Sequence, residues 1–208
     1  MRIAIFGTVG AGKSSISEEI SKQLGHEIFP EPVEENPYFE DYYKDLKATV
    51  FKMQIYMLAA RSKQLKQAQQ LKNIIFDRTI LEDPIFMKVN YQLGNVNETD
   101  YKTYQDFYEN VVLENLKIPD ERVKFDVVIY LRVSTDKSME RIGLRGRPSE
   151  LEVGKDYWDL LNKNYEDFYA ENAYNFPFFV VDAETDDMDL KMKQIMDKIY
   201  EIDPSLKK

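Results

Sequence analysis

Cysteine is absent from the 208 residues, and histidine occurs once, at His26. That excludes disulfides, thiolate metal sites, a cysteine nucleophile and any histidine pair for a metal. Long apolar runs are missing as well. No stretch approaches the ~18 residues of a membrane-spanning helix, and the apolar run after Met1-Arg2 is too brief for a secretory leader, so a cytoplasmic location is expected. Positive charge is scarce: 28 Lys and Arg stand against 37 Asp and Glu, a formal net charge of −9. A nucleic-acid polymer or an anionic membrane requires a basic footprint, so neither is an expected partner. Any phosphate that the chain binds must be met by a few placed cations. Glycine and proline number eight each and form no linker, and no repeat or low-complexity tract divides the chain. One domain over residues 1–208 is the expected organisation.

What the chain does have is Gly7-Thr8-Val9-Gly10-Ala11-Gly12-Lys13-Ser14, directly after the apolar Ile3-Ala4-Ile5-Phe6 and opening onto a helical pattern, with the next residue, Ser15, counted with the loop. The glycines let the backbone fold close to an anion with several N–H groups turned inward, and the following helix N-terminus adds partial positive charge. Lys13 can then reach the β- and γ-phosphates of a nucleotide, and the Ser14 hydroxyl can sit on Mg²⁺.

Short apolar runs recur between long amphipathic segments, at Ile3–Phe6, Glu27–Phe29, Asn73–Phe76, Val127–Leu131 and Phe178–Val181. This alternation predicts an α/β fold with a five-stranded parallel sheet and helices on both faces. Helices are expected near 13–24, 37–71 with a break, 79–93, 100–117, 135–143, 149–172 and 187–201. Thr99 is the expected cap of the fourth of these, Ser149-Glu150-Leu151-Glu152 fits a capping box, and Pro119 and Pro204 close off the helices before them.

Parallel sheets gather ligands at the carboxyl ends of their strands, and here those ends are polar. Glu31, between Pro30 and Pro32, is a carboxylate on a stiff loop, suited to accept the proton of an attacking hydroxyl. Asp77 ends the third strand, where an acid commonly helps to hold Mg²⁺; base and metal roles remain open between Glu31 and Asp77. Arg78 follows directly. Arg141, Arg145 and Arg147 lie beyond the fourth strand, in a segment whose glycines would let it flex as a lid, at about residues 141–150, over bound phosphates. Gln54 and Arg61, seven apart, share one face of a largely apolar helix, which suits recognition of a flat polar ligand such as a base. Asp182 and Glu184 follow the fifth strand.

In order and spacing, these stretches resemble the deoxyribonucleoside kinase family over nearly the whole chain. The resemblance rests on the Gly7–Ser14 loop, Glu31-Pro32-Val33, Gln54 and Arg61, Asp77-Arg78-Thr79 with Asp83 downstream, and the Arg141-to-Arg147 segment. It implies a P-loop kinase fold, ATP with Mg²⁺ as phosphate donor, and the 5′-hydroxyl of a deoxynucleoside as acceptor. Deoxyadenosine is favoured, with deoxyguanosine and deoxycytidine behind it. Glu31 would be the base and Arg78 would hold the 5′ region. Tyr43 and Glu150 would bind the 3′-hydroxyl, and Gln54, Arg61 and Asp83 would read the nucleobase. Arg141, Arg145 and Arg147 would close on the donor phosphates, and Asp182, Thr185 and Asp186 would lie near the adenine of ATP. A homodimer is also implied. Two rivals stand beside this reading. A nucleoside monophosphate kinase would need cations for the acceptor phosphate, yet Glu31 to Asp41 has acids and no base. A guanine-specific switch would carry Asn-Lys-x-Asp, and Asn162-Lys163-Asn164-Tyr165 lacks the final acid.

Overall fold

The computed structural model describes residues 1–33, 35–114 and 124–207. Five strands, β1 (Arg2–Phe6), β2 (Glu27–Phe29), β3 (Ile74–Asp77), β4 (Val127–Arg132) and β5 (Phe178–Asp182), form one parallel sheet in the order β2-β3-β1-β4-β5. Each strand begins and ends within two residues of its expected place, because a strand covered on both faces is a nearly unbroken apolar run.

Successive side chains alternate between two cores. Ala4, Phe6, Phe76, Val128 and Tyr130 face one side. There they meet α3 (Leu46–Gln67), α4 (Asp83–Gln92), α5 (Glu98–Phe107) and α8 (Lys155–Asn172). Ile3, Ile5, Ile75, Ile129 and Val181 face the other, against Ile16 and Ile20 of α1 (Lys13–Leu24) and Ile195 and Ile199 of α9 (Met188–Ile202). Between these lie the short α2 (Phe39–Tyr42), α6 (Thr135–Arg145) and the single turn α7 (Pro148–Leu151).

Several helix boundaries differ from expectation, each for a local reason. The stretch 37–71 breaks before Asp45, whose side chain caps α3 at Ala48 N–H. Asn97, not Thr99, caps α5 by accepting from Asp100 N–H, and α5 continues into a π-helical turn over Tyr108–Leu113. The expected end of that helix at 117, and Pro119, lie outside the described residues. The segment 79–93 opens with a 3₁₀ turn, Ile80–Glu82, capped by Thr79. The segment 149–172 divides at Glu152-Val153-Gly154, and Ser149 sits inside α7 instead of capping a long helix. Pro204 does follow the end of α9.

Candidate active site

The phosphate loop joins β1 to α1 at the centre of the sheet. Gly10 has φ +78°, and a Cβ there would stand 2.5 Å from the Ser138 carbonyl oxygen of α6, so only glycine fits. Ser138 also donates its hydroxyl to the Val9 carbonyl at 2.6 Å, which braces the loop against α6. Gly12, with φ +91°, precedes α1 and offers no side-chain cap, so the first N–H groups of α1 remain for an anion. Lys13 is buried and donates to the Thr8 carbonyl at 2.8 Å. Burial first, then the Arg78 charge, lowers its pKa to about 8.

A cavity of about 360 Å³ opens beside this loop. Val9, Gly10, Gly12, Lys13, Ser14 and Ser15 line it at the phosphate loop, whereas Gly7, Thr8 and Ala11 belong to the loop without lining the cavity. Gln54, Arg61 and Asp83 line it as well, Glu31 and Arg78 lie within electrostatic reach of both Lys13 and Arg61 or Asp83, and Tyr43, Glu150 and the three arginines of 141–147 complete the lining. Residues from six separate stretches thus converge on one space of the size that small-molecule sites occupy.

Glu31 stands at the junction. Its Oε1 is paired with Arg78 Nε at 2.9 Å and Arg61 Nη2 at 3.3 Å, and 27% of its side chain remains exposed. Burial raises its pKa, but Arg78, Arg61 and Lys13 outweigh burial and hold it below the usual carboxylate range. Arg78 is the single non-glycine residue with positive φ among those described, at +70°. Such a conformation costs about 1–3 kcal/mol and persists only where its surroundings impose it. Here the Arg78 N–H donates to Ile5 O at 3.1 Å and its carbonyl accepts from Arg61 Nη1 at 2.9 Å. Its guanidinium lies over Phe86, 4.9 Å from the ring centroid. Nearby carboxylates and the Tyr165 phenol offset the effect of burial and raise its pKa, so it remains charged.

Gln54 and Arg61 are both buried, which excludes a helix face that merely exposes them to water. Arg61 Nε donates to Asp83 Oδ1 at 2.9 Å, whereas Asp83 Oδ2 is buried without a hydrogen-bond partner among the described residues. Burial pushes Asp83 up to about 7 despite Arg61. Tyr43 packs against Tyr157 and Trp158 of α8 and lies within electrostatic reach of Glu150.

The arginines of the expected lid are each held by a carboxylate. Arg141 Nη2 donates to Asp186 Oδ1 at 2.7 Å and to the Thr185 carbonyl at 3.2 Å, while its Nη1 is buried without a hydrogen-bond partner among the described residues. Arg145 pairs with Glu150 at 2.5 Å and Arg147 at 3.5 Å. Glu150 is therefore a buried anchor for the segment. Asp182 accepts from Glu184 N–H at 2.9 Å in the turn after β5. Ser14 donates to Asp77 Oδ2 at 2.5 Å, and Asp77 Oδ1 is buried and unpartnered among the described residues. An alcohol and a carboxylate at the phosphate end suit a hard divalent cation bound mainly through phosphates. Among the described residues there is no cluster of three or more His, Cys, Asp or Glu side chains that could hold a metal without them.

Sequence reasoning passed over Glu82, Tyr165 and Phe86. Thr79-x-x-Glu82 carries the capping-box pattern and reads as a helix start; Tyr165 and Phe86 read as core aromatics.

The parallel sheet, central phosphate loop and two-ended cavity define a phosphotransferase of the P-loop kinase fold. The family described as deoxynucleoside kinase matches residues 3–203. A deoxyadenosine kinase of Lactobacillus acidophilus is 36% identical over 210 residues, covering 99% of this chain and 96% of that protein. A deoxyadenosine/deoxycytidine kinase of Bacillus subtilis is 36% identical over 170 residues, covering 81% and 76%. Among solved structures, deoxyadenosine kinase from M. mycoides with bound dCTP is 67% identical, with TM-score 0.89, covering 97% and 100%. The chain belongs to the deoxynucleoside kinase family. It is an enzyme that phosphorylates nucleosides, with ATP as the donor general to that family.

Proposed function

We propose that this enzyme transfers the γ-phosphoryl group of ATP, as its Mg²⁺ complex, to the 5′-hydroxyl of deoxyadenosine, with deoxycytidine and deoxyguanosine as lesser acceptors. The observation that carries the reading is the position of Glu31 between the phosphate loop and the Gln54/Arg61/Asp83 end of one cavity. The preference for deoxyadenosine rests on the relatives that bear that name.

The acceptor 5′-hydroxyl lies against Glu31. Arg78 and Arg61 both occupy Oε1, which leaves Oε2 to take the hydroxyl proton as the oxygen attacks the γ-phosphorus. Arg78 keeps the carboxylate ionised and offers its guanidinium to the charge that develops on the transferring group. Lys13 and the α1 N-terminus hold the β- and γ-phosphates, and Ser14, with Asp77 through water, would hold Mg²⁺, which would supply further positive charge for the donor phosphates. Arg141, Arg145 and Arg147 exchange their carboxylate partners for phosphate oxygens as residues 141–150 close. The unpartnered Nη1 of Arg141 supports that role. Thr185 and Asp186, together with Asp182, border the donor adenine. Glu150 and Tyr43 receive the 3′-hydroxyl, and the Tyr43 ring crowds the position of a 2′-hydroxyl. Gln54 presents a donor and an acceptor to the base edge, and Asp83 accepts from an exocyclic amino group. Residues 1–208 act as one domain, in the cytoplasm, as a homodimer.

Incubation with ATP, Mg²⁺ and a panel of nucleosides tests the reading. Deoxyadenosine 5′-monophosphate should form fastest; product from none of the deoxynucleosides would overturn it. Replacing Glu31 by Gln should lower kcat by roughly 10²–10⁴-fold while nucleoside binding is largely kept. A near-normal kcat in that variant would transfer the role of base to Asp77.

A further inference from the structure

Glu82 is fully buried, yet it does not line the cavity. Its Oε1 accepts from Thr79 N–H at 3.0 Å. Its Oε2 receives Tyr165 O–H at 2.8 Å, Arg78 Nη1 at 3.4 Å and Gly7 N–H at 3.4 Å. Tyr165 in turn accepts from Arg78 Nη1. One carboxylate thus touches the first glycine of the phosphate loop, the strained Arg78-Thr79 turn and α8 behind them. Desolvating a carboxylate is costly, and an apolar side chain of similar volume would serve packing alone at least as well.

We propose that Glu82 and Tyr165 are positioning residues that hold Arg78 and the phosphate loop in one fixed relation, registering the acceptor hydroxyl against the donor phosphate. The reason lies in the charge balance of the reaction. Arg78 has two carboxylate partners, Glu31 in the cavity and Glu82 behind it. As Glu31 takes the hydroxyl proton it becomes neutral and its hold on Arg78 weakens. Burial raises the Glu82 pKa against the pull of Arg78, Lys13, Arg61 and the Thr79 N–H. Glu82 nevertheless lies outside the cavity and takes no proton in the reaction, so its contacts to Arg78 do not change as Glu31 is neutralised, and Arg78 stays in place while the transition state needs it. Tyr165 stabilises that carboxylate with its O–H and steadies the same guanidinium nitrogen through its oxygen.

This inference rests on the deoxynucleoside kinase reading and has its own test, steady-state kinetics with melting curves on Tyr165→Phe, Glu82→Gln and the double variant. Tyr165→Phe removes two hydrogen bonds but keeps the ring that packs on Phe6 and Phe86. Its kcat should fall about tenfold to a hundredfold, with the deoxynucleoside KM changed by less than about threefold and the melting temperature close to that of the parent. Glu82→Gln should lose at least as much, and the double variant should be no worse than Glu82→Gln, because the two side chains act as one unit. A kcat for Tyr165→Phe within about twofold of the parent, or losses that multiply in the double variant, would overturn the proposal. Should Glu82→Gln fail to fold, Tyr165→Phe decides alone. A parent enzyme inactive on every deoxynucleoside would instead overturn the proposed function.

Discussion

The charges at the site have opposite needs, and pH separates them. In the role proposed for it, Glu31 must be ionised to act as base, and its lowered pKa keeps it so into the acid range. Lys13 must be protonated to hold phosphate, and its pKa of about 8 sets the alkaline limit of the empty site. The kcat/KM for ATP should therefore be level from about pH 6 to 7.5 and fall above about pH 8. At saturating ATP the triphosphate raises the lysine, so the fall in kcat should come at higher pH. Two pH–rate profiles check this, and coincident alkaline limbs would argue against Lys13 as their source. At this scale the sequence was informative wherever a residue type is unusual in its surroundings: Lys13 in a glycine loop, Glu31 between prolines, Gln54 and Arg61 in an apolar helix. Glu82 and Tyr165 had no such contrast. A glutamate three residues after a threonine at a helix start satisfies a local rule, and its long-range partners Gly7, Arg78 and Tyr165 exist only once the chain is folded.

Among elements, the contact between the phosphate loop and α6 deserves a test because it joins the donor site to the arginine segment. Gly10→Ala places a methyl against the Ser138 carbonyl in a backbone conformation unfavourable to alanine. The loop must then retreat from α6. The KM for ATP should rise by tenfold or more, about 1.4 kcal/mol, while calorimetric affinity for deoxyadenosine changes little. Equal losses for both substrates would mean that the loop is not an independent donor element. The strands were legible because burial on both faces writes an apolar run. Helix interiors were legible too, but not their interruptions. Glu152-Val153-Gly154 divides α7 from α8, and Glu150 in α7 turns inward to Arg145 and Arg147, tertiary pairings that no local pattern announces.

For the whole molecule, a cavity already lined by both sets of partners means that either ligand should stabilise the fold. Deoxyadenosine at about a hundred times its Kd should add ~2.7 kcal/mol and raise the melting temperature by roughly 5–10 °C for a chain of this size. A ribonucleoside at the same concentration should give a markedly smaller shift, if Tyr43 crowds the 2′ position as proposed; equal shifts would remove Tyr43 from that role. The strand order has a further consequence. The phosphate loop leaves the central β1, Glu31 and Arg78 come from the β2 and β3 flank, and the arginine segment and Thr185-Asp186 come from the β4 and β5 flank. In the proposed roles, most acceptor contacts then lie on the β2–β3 flank and most donor contacts on the β4–β5 flank, with Glu150 and Asp77 crossing between them. Under those roles, substitutions near Glu31, Gln54, Arg61 and Asp83 should retune which nucleoside is taken, by selection or by engineering, with little change in the KM for ATP.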